Sequence, residues 1–310
     1  MDKTFKILAI DGGGIRGVFA AQILKRIREE FNITFCNEFD IITGTSTGSI
    51  IAAGLAIDYP IEKIVDLYKT EGLRIFKPNY SNSFNWYNWK AFFKNKYDSG
   101  YLKKVLDRIF QQVDFSHVKT KLIIPASDVS NGNVFVFKSN YDPSFVRDKD
   151  IRLADAILAS CSAPVYFKPS RVKEYLLADG GLWANNPSLV ALTEAMSIRF
   201  NKNKEDIKIL SLGTGLGKKY YDLNDSHKSW GLKRWGTGLI NTTMNLQSIN
   251  VDNIVRFILG HEDHFLRINF ETDCETALDD VNAVDSLISR EDEKFTYSSK
   301  KIEKFFKGGN

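Results

Sequence analysis

The residues best placed to do chemistry are a serine between two glycines, an aspartate ahead of two more, and a run of three glycines near the N-terminus. Gly44-Thr45-Ser46-Thr47-Gly48 has Gly-x-Ser-x-Gly spacing. An apolar run, Phe39 to Thr43, enters it, and Ile50, Ile51, Ala52, Ala53, Gly54 and Leu55 follow, which suits a buried strand, a sharp turn and a helix. That is a nucleophile elbow. Gly44 and Gly48 omit Cβ atoms where strand and helix crowd together, and the Ser46 hydroxyl sits at a helix N-terminus whose dipole favours developing negative charge. A Gly/Ser/Thr turn before a core helix would have the same sequence, so the elbow needs partners elsewhere in the chain.

Two further stretches are candidates for those partners. The apolar run Ile7-Leu8-Ala9-Ile10 leads into Asp11-Gly12-Gly13-Gly14-Ile15-Arg16-Gly17 and then a helix carrying Phe19, Ile23, Leu24 and Ile27. Strand, glycine turn and helix make an anion-binding geometry. Gly12, Gly14 and Gly17 satisfy G-x-G-x-x-G, which competes as a dinucleotide fingerprint and then needs an acid about 20 residues on, at the end of the next strand. Asp40 lies near that distance but precedes its strand. The same backbone N–H groups serve equally to hold a tetrahedral oxyanion. Farther on, Tyr175-Leu176-Leu177-Ala178 reads as a strand delivering Asp179-Gly180-Gly181, which is where an open α/β sheet places reactive groups. A solvated turn aspartate is the plainer alternative.

The elements that must position these residues alternate between strand and helix. Leu102, Val105, Leu106 and Ile109 mark a helix from 101 to 111, and strands at 122–127 and 134–138 flank the Asn131-Gly132 turn. A helix over 153–161 is stopped by Pro164, another runs from 189 to 198, and a buried strand at 207–212 closes on Gly213-Thr214-Gly215. The pattern predicts an α/β fold with a largely parallel central sheet covered by helices on both faces. Beyond Gly217 the signals thin to one or two amphipathic helices, a strand near Phe265 to Ile268, and a terminal helix with Ile302, Phe305 and Phe306 against the core. Residues 5–215 read as the core and 216–310 as a mainly helical extension packed on it.

The segment from Phe76 to Tyr101 departs from an ordinary core. Its aromatic residues, Trp86 and Trp89 among them, interleave with Lys77, Lys90, Lys94 and Lys96, and Asp98 is its only acid. A lid-like insertion packed on the core accounts for it. So does a headgroup-level membrane contact, or a surface for bases and phosphates centred on Trp86, Trp89 and Lys90.

Composition bounds the rest. The 310 residues are 43% hydrophobic, ample for a core, and 42 Lys plus Arg against 38 Asp plus Glu give a net +4. That charge is too mild for a nucleic-acid binder and compatible with work near anionic lipid. Three scattered cysteines with no Cys-x-x-Cys spacing point to a reducing compartment without a structural disulfide or zinc site. The N-terminus runs directly into a strand, leaving no room for a signal peptide, and no run reaches the roughly 18 apolar residues of a spanning helix. A cytoplasmic protein is expected, with any membrane contact peripheral.

Taken together the blocks resemble the patatin-like phospholipase family. The resemblance rests on Asp11 to Gly17, Gly44 to Gly48, Ala159-Ser160-Cys161-Ser162-Ala163-Pro164-Val165-Tyr166-Phe167, Asp179-Gly180-Gly181 with Asn185-Asn186-Pro187, and Leu210 to Gly215, in the family's order. It implies a patatin-like fold and a Ser–Asp dyad, with Ser46 as nucleophile, Asp179 as base and the N–H groups of Gly12, Gly13 and Gly14 as oxyanion hole. Arg16, Gly17, Gly44, Gly48, Gly180 and Gly181 support these motifs. It implies hydrolysis of membrane glycerophospholipid esters without cofactor or metal. The overall organisation also resembles the cyclic-oligonucleotide-activated (CBASS-type) phospholipases of bacterial antiphage defence. A cyclic dinucleotide would then be the activator, contact with the inner membrane would accompany activity, and a homo-oligomer is compatible with either state.

Three alternatives compete. A Ser-His-Asp triad would need His227, His261 or His264, and no strand delivers any of them to the elbow; His261 and His264 also lack the His-Glu-x-x-His zinc spacing. A Rossmann-type NAD or FAD oxidoreductase would use the glycine loop differently, and a non-catalytic lipid- or nucleotide-binding protein would keep the fold without turnover. An aspartate near its reference pKa of about 3.9 is too weak a base for serine, so a working dyad demands a dry site.

Overall fold

The first strand, β1 (Phe5–Ile10), sends Phe5, Ile7 and Ala9 into one apolar layer and Leu8 and Ile10 into another, as a strand covered on both faces must. A computed structural model of the chain describes residues 4–78, 95–197, 199–217, 223–229, 238–273 and 276–307. After β1 the glycine loop leads into α1 (Gly17–Phe31), then α2 (Phe35–Glu38), β2 (Ile41–Gly44), α3 (Thr47–Ala56), α4 (Ile61–Ile75) and α5 (Ser99–Phe110). The hairpin β3 (Lys121–Asp128) and β4 (Asn133–Lys138) follows, then α6 (Leu153–Ser160), β5 (Ser170–Val172), β6 (Tyr175–Asp179), α7 (Gly181–Ala184) and α8 (Ser188–Ala195). The remainder is β7 (Ile207–Leu212), β8 (Leu216–Gly217), α9 (Gly238–Leu259), β9 (Phe265–Ile268), β10 (Glu271–Thr272) and α10 (Val284–Lys307).

The main sheet runs β5-β6-β3-β2-β1-β7-β9, with β4 paired to β3. The stretch β3-β2-β1-β7-β9 is parallel throughout, while β4, β5 and β6 are antiparallel additions. Ile10 is level with Gly44 on one side and Leu212 on the other, so the loops that follow β1, β2 and β7 meet at one end of the sheet. One face is covered by α1, α3, α4, α5, α6 and α10, the other by α8 and α9.

The region after 216 adds β9 to the edge of the sheet, and α10 lays Phe295, Ile302 and Phe305 on the core beside α1. The Phe31 and Phe306 rings lie 5.1 Å apart. Two local readings shift. The run from Phe39 divides, because Asp40 turns its carboxylate onto the Lys6 N–H at 2.9 Å and pairing begins only at Ile41. The helix expected over 189–198 spans Ser188–Ala195. Among the described residues no helix is long and apolar enough to cross a membrane.

Candidate active site

Ser46 sits between β2 and α3 with φ 53° and ψ −125°, a positive-φ conformation that costs a non-glycine residue about 1–3 kcal/mol. Close packing enforces it. A Cβ on Gly44 would lie 2.1 Å from the Gly48 carbonyl oxygen, and one on Gly48 would lie 2.4 Å from that of Ile10. Hydrogen bonds complete the turn: the Ser46 N–H donates to Ser160 Oγ at 2.9 Å, and Ser160 donates to the Pro125 carbonyl at 2.7 Å. Ser49 Oγ donates to the Ser46 carbonyl at 2.6 Å, and Thr45 Oγ1 donates to the Ala184 carbonyl at 2.6 Å.

Asp179 arrives by a route the sequence did not suggest. β6 is antiparallel, so the rule for carboxyl ends of parallel strands does not place it there. Instead β3 outruns β2: Ile123 pairs with Thr43, while Ala126 pairs with Asp179, bringing the aspartate level with the elbow. The carboxylate is 2% exposed. Oδ1 accepts the Gly181 N–H at 2.6 Å, and Oδ2 is buried without a hydrogen-bond partner. Burial raises the Asp179 pKa to about 7, against the opposing pull of the Gly181 N–H and the neighbouring Ser46 hydroxyl. Burial, with the Asp179 charge beside it, also pushes the Cys161 thiol up.

In the glycine loop the expectation of three N–H groups is corrected. Gly12 N–H donates to the Asn185 carbonyl at 3.0 Å and is spent. Gly13 and Gly14 N–H have no hydrogen-bond partner among the described residues. Both are aimed by their peptide planes, because in a trans peptide the C=O and N–H point in opposite directions. The Gly12 carbonyl accepts the Thr214 hydroxyl at 2.6 Å, which orients the Gly13 N–H. The Gly13 carbonyl accepts the Arg16 backbone N–H and Nε, each at 3.2 Å, which orients the Gly14 N–H. Gly14 has φ +58°, and a Cβ there would lie 2.1 Å from the Leu278 carbonyl oxygen. Gly17 packs against Thr47 and Tyr68, and Gly180 against Pro125, so the supporting glycines gather around the elbow.

Behind the loop is a buried ion pair. Arg267 Nη2 and Nη1 donate to the two Asp11 carboxylate oxygens at 2.6 and 2.8 Å, and Nη1 also donates to Ser211 Oγ at 2.8 Å. Sequence reasoning had assigned no role to Arg267, Thr214, Ser160 or Asn185. Only the block positions of Ser160, Asn185 and Thr214 hinted at one.

Ser46 and Asp179 line one cavity of about 60 Å³, shared with Gly14 and walled by Phe76, Phe167, Met244 and Leu278. It is apolar and small beside the roughly 300 Å³ or more of a ligand pocket. One wall is tied down: the Leu278 carbonyl accepts the Ile15 N–H at 2.8 Å, and the neighbouring Asp279 accepts from Lys96 Nζ and Tyr97 OH. Trp86, Trp89 and Lys90 lie outside the described residues. None of the four histidines lines the cavity; His264 reaches the Lys204 carbonyl at 3.4 Å and the His261 ring, away from the elbow. Among the described residues no group of three or more His, Cys, Asp or Glu could hold a metal. Asp40, the acid a dinucleotide fold would need, sits at the opposite end of β2 from the glycine loop.

Residues 8–192 match the patatin-like phospholipase family. A cGAMP-activated phospholipase of Pseudomonas aeruginosa is 32% identical over 83% of this chain and 76% of its own. One of Vibrio cholerae is 33% identical over 99% of this chain and 96% of its own. A cUMP-AMP-activated phospholipase of Escherichia coli is 28% identical over 69% and 66%. On the family match and on these relatives, the chain belongs to the patatin-like phospholipases.

Proposed function

We propose that the protein hydrolyses acyl esters of membrane glycerophospholipids with Ser46 as nucleophile and Asp179 as its base. The observation that carries the reading is the Asp179 carboxylate: buried, raised to about 7, with Oδ2 unengaged in the cavity that holds the Ser46 hydroxyl. Asp179 takes the hydroxyl proton as Ser46 Oγ attacks the ester carbonyl, and the Gly13 and Gly14 N–H groups receive the oxyanion. Collapse expels the lysolipid alkoxide, which leaves with the proton from Asp179. Water then gives a proton to Asp179 while its oxygen attacks the acyl-serine, and Ser46 regains its proton as the fatty acid departs. An apolar acyl chain keeps water away from the carboxylate and so maintains its basicity.

At about 60 Å³ the cavity does not accommodate an acyl chain, so catalysis requires that it open further. Relatives named for activation by cGAMP and by cUMP-AMP suggest what opens it: a cyclic dinucleotide that binds the open form more tightly. Fatty-acid release from phospholipid vesicles, with and without each nucleotide, tests both halves. Release by the wild type and none by Ser46→Ala supports the reading. Release that persists in Ser46→Ala rejects it.

A further inference from the structure

A second groove, of about 220 Å³, runs along the open edge of β9, between α9 and α10. Five of its lining residues are cationic, Lys208, Arg256, Arg267, Lys301 and Lys304, against the acids Glu262 and Asp263. Some of that charge is already used. Lys304 pairs with Asp263 at 2.6 Å and Arg256 with Asp252 at 3.1 Å. Lys301 forms no ion pair with the described residues; Lys208 has none within salt-bridge distance, though its charge helps Lys304 hold the Asp263 carboxyl below the usual carboxylate range. Tyr297 is 78% exposed at the rim, and Tyr297, Lys301 and Lys304 share one face of α10 at helical spacing. Among the described residues β9 is the edge strand of the main sheet.

We propose that this groove binds the activating nucleotide, with Lys208 and Lys301 taking its phosphodiesters and Tyr297 stacking on a base. The inference rests on the nucleotide-controlled reading above and assigns it a site. Lysines outside close ion pairs, with an exposed aromatic ring beside them, are the chemistry that single nucleotides and short strands require. Placement supplies the coupling. Arg267 lines the groove, crosses β7 through Ser211, and holds Asp11, the first residue of the glycine loop, in a bidentate bond. The Arg267 side chain is only 6% exposed, so a phosphodiester in the groove acts on it through its field, weakening its hold on Asp11, and the change is transmitted to the peptides that aim the Gly13 and Gly14 N–H groups.

The test measures binding of labelled cGAMP and cUMP-AMP to the full chain and to Lys208→Glu/Lys301→Glu, with hydrolysis of a small soluble ester as the control for folding. The groove predicts that the wild type binds one nucleotide, that the double variant loses at least about tenfold in affinity, and that its basal ester hydrolysis is unchanged. Tyr297→Ala should weaken binding severalfold. A double variant that binds as the wild type does, or binding lost instead in Trp86→Ala/Trp89→Ala, moves the site elsewhere and overturns this inference while nucleotide control stands. A wild type that binds neither nucleotide, or binds phosphatidylglycerol vesicles in their place, ends both.

Discussion

The Thr214 hydroxyl donates to the Gly12 carbonyl at 2.6 Å, so the loop after β7 sets the direction of a peptide in the loop after β1. The N–H opposed to that carbonyl belongs to Gly13, one of the two proposed to receive the oxyanion. Thr214→Val keeps the shape and removes the donor. It should lower kcat by roughly 10- to 100-fold with little change in KM, because the interaction matters most when charge develops. Thr214→Ser should retain most of the activity. Equal kcat in Thr214→Val and wild type would show that the peptide is held without the hydroxyl.

The Asp179 pKa has consequences of opposite sign for rate and stability. As a base it must be ionised, so kcat/KM should fall about tenfold per pH unit below about 7 and level off above it. An unfolded aspartate ionises near 3.9, whereas the folded one keeps its proton to about 7. Between those values the native state binds the extra proton, and stability falls as pH rises, by roughly 4 kcal/mol in all. Asp179→Asn escapes that loss. Urea titrations should find it close to wild type near pH 4 and clearly more stable at pH 8, and a constant difference across this range would contradict the buried-charge account.

Much of the site was legible because it is local. Gly44 to Gly48 and Asp11 to Gly17 are each a strand end, a turn and a helix start within a few residues, and the physics of each can be read in place. The placement of Asp179 was read for a partly mistaken reason: its strand is antiparallel and comes level with the elbow only because β3 extends past β2. The loss of the Gly12 N–H to Asn185 and the salt bridge from Arg267 to Asp11 depend on contacts between distant parts of the chain, which periodicity and spacing do not encode. The division of the run at Phe39 turned on one carboxylate, Asp40, bonding to the neighbouring strand.

The Asp11 and Arg267 side chains are both almost fully buried, at 3% and 6% exposed. Removing one partner strands the other's charge, so Arg267→Met should cost about 3–5 kcal/mol in denaturant unfolding. The double variant Asp11→Asn/Arg267→Met should recover part of that loss. A single variant costing less than about 1 kcal/mol would mean that water reaches the pair.

Strain at the elbow is separable from chemistry. Glycine adopts φ 53° without a Cβ penalty, whereas alanine retains it. Ser46→Gly should therefore be about 1 kcal/mol more stable than Ser46→Ala, although neither retains the nucleophile. Equal melting temperatures would argue that the turn is relaxed.

The central claim is that Ser46 becomes covalently acylated with Asp179 as its base, and the most direct measurement is peptide mass spectrometry after treatment with a lipid fluorophosphonate. The account predicts a phosphonyl adduct on the peptide carrying Ser46, formed by the wild type and slowed by at least about 100-fold in folded Asp179→Asn. An adduct confined to another side chain, or one forming on Ser46 as fast in Asp179→Asn as in the wild type, would contradict it.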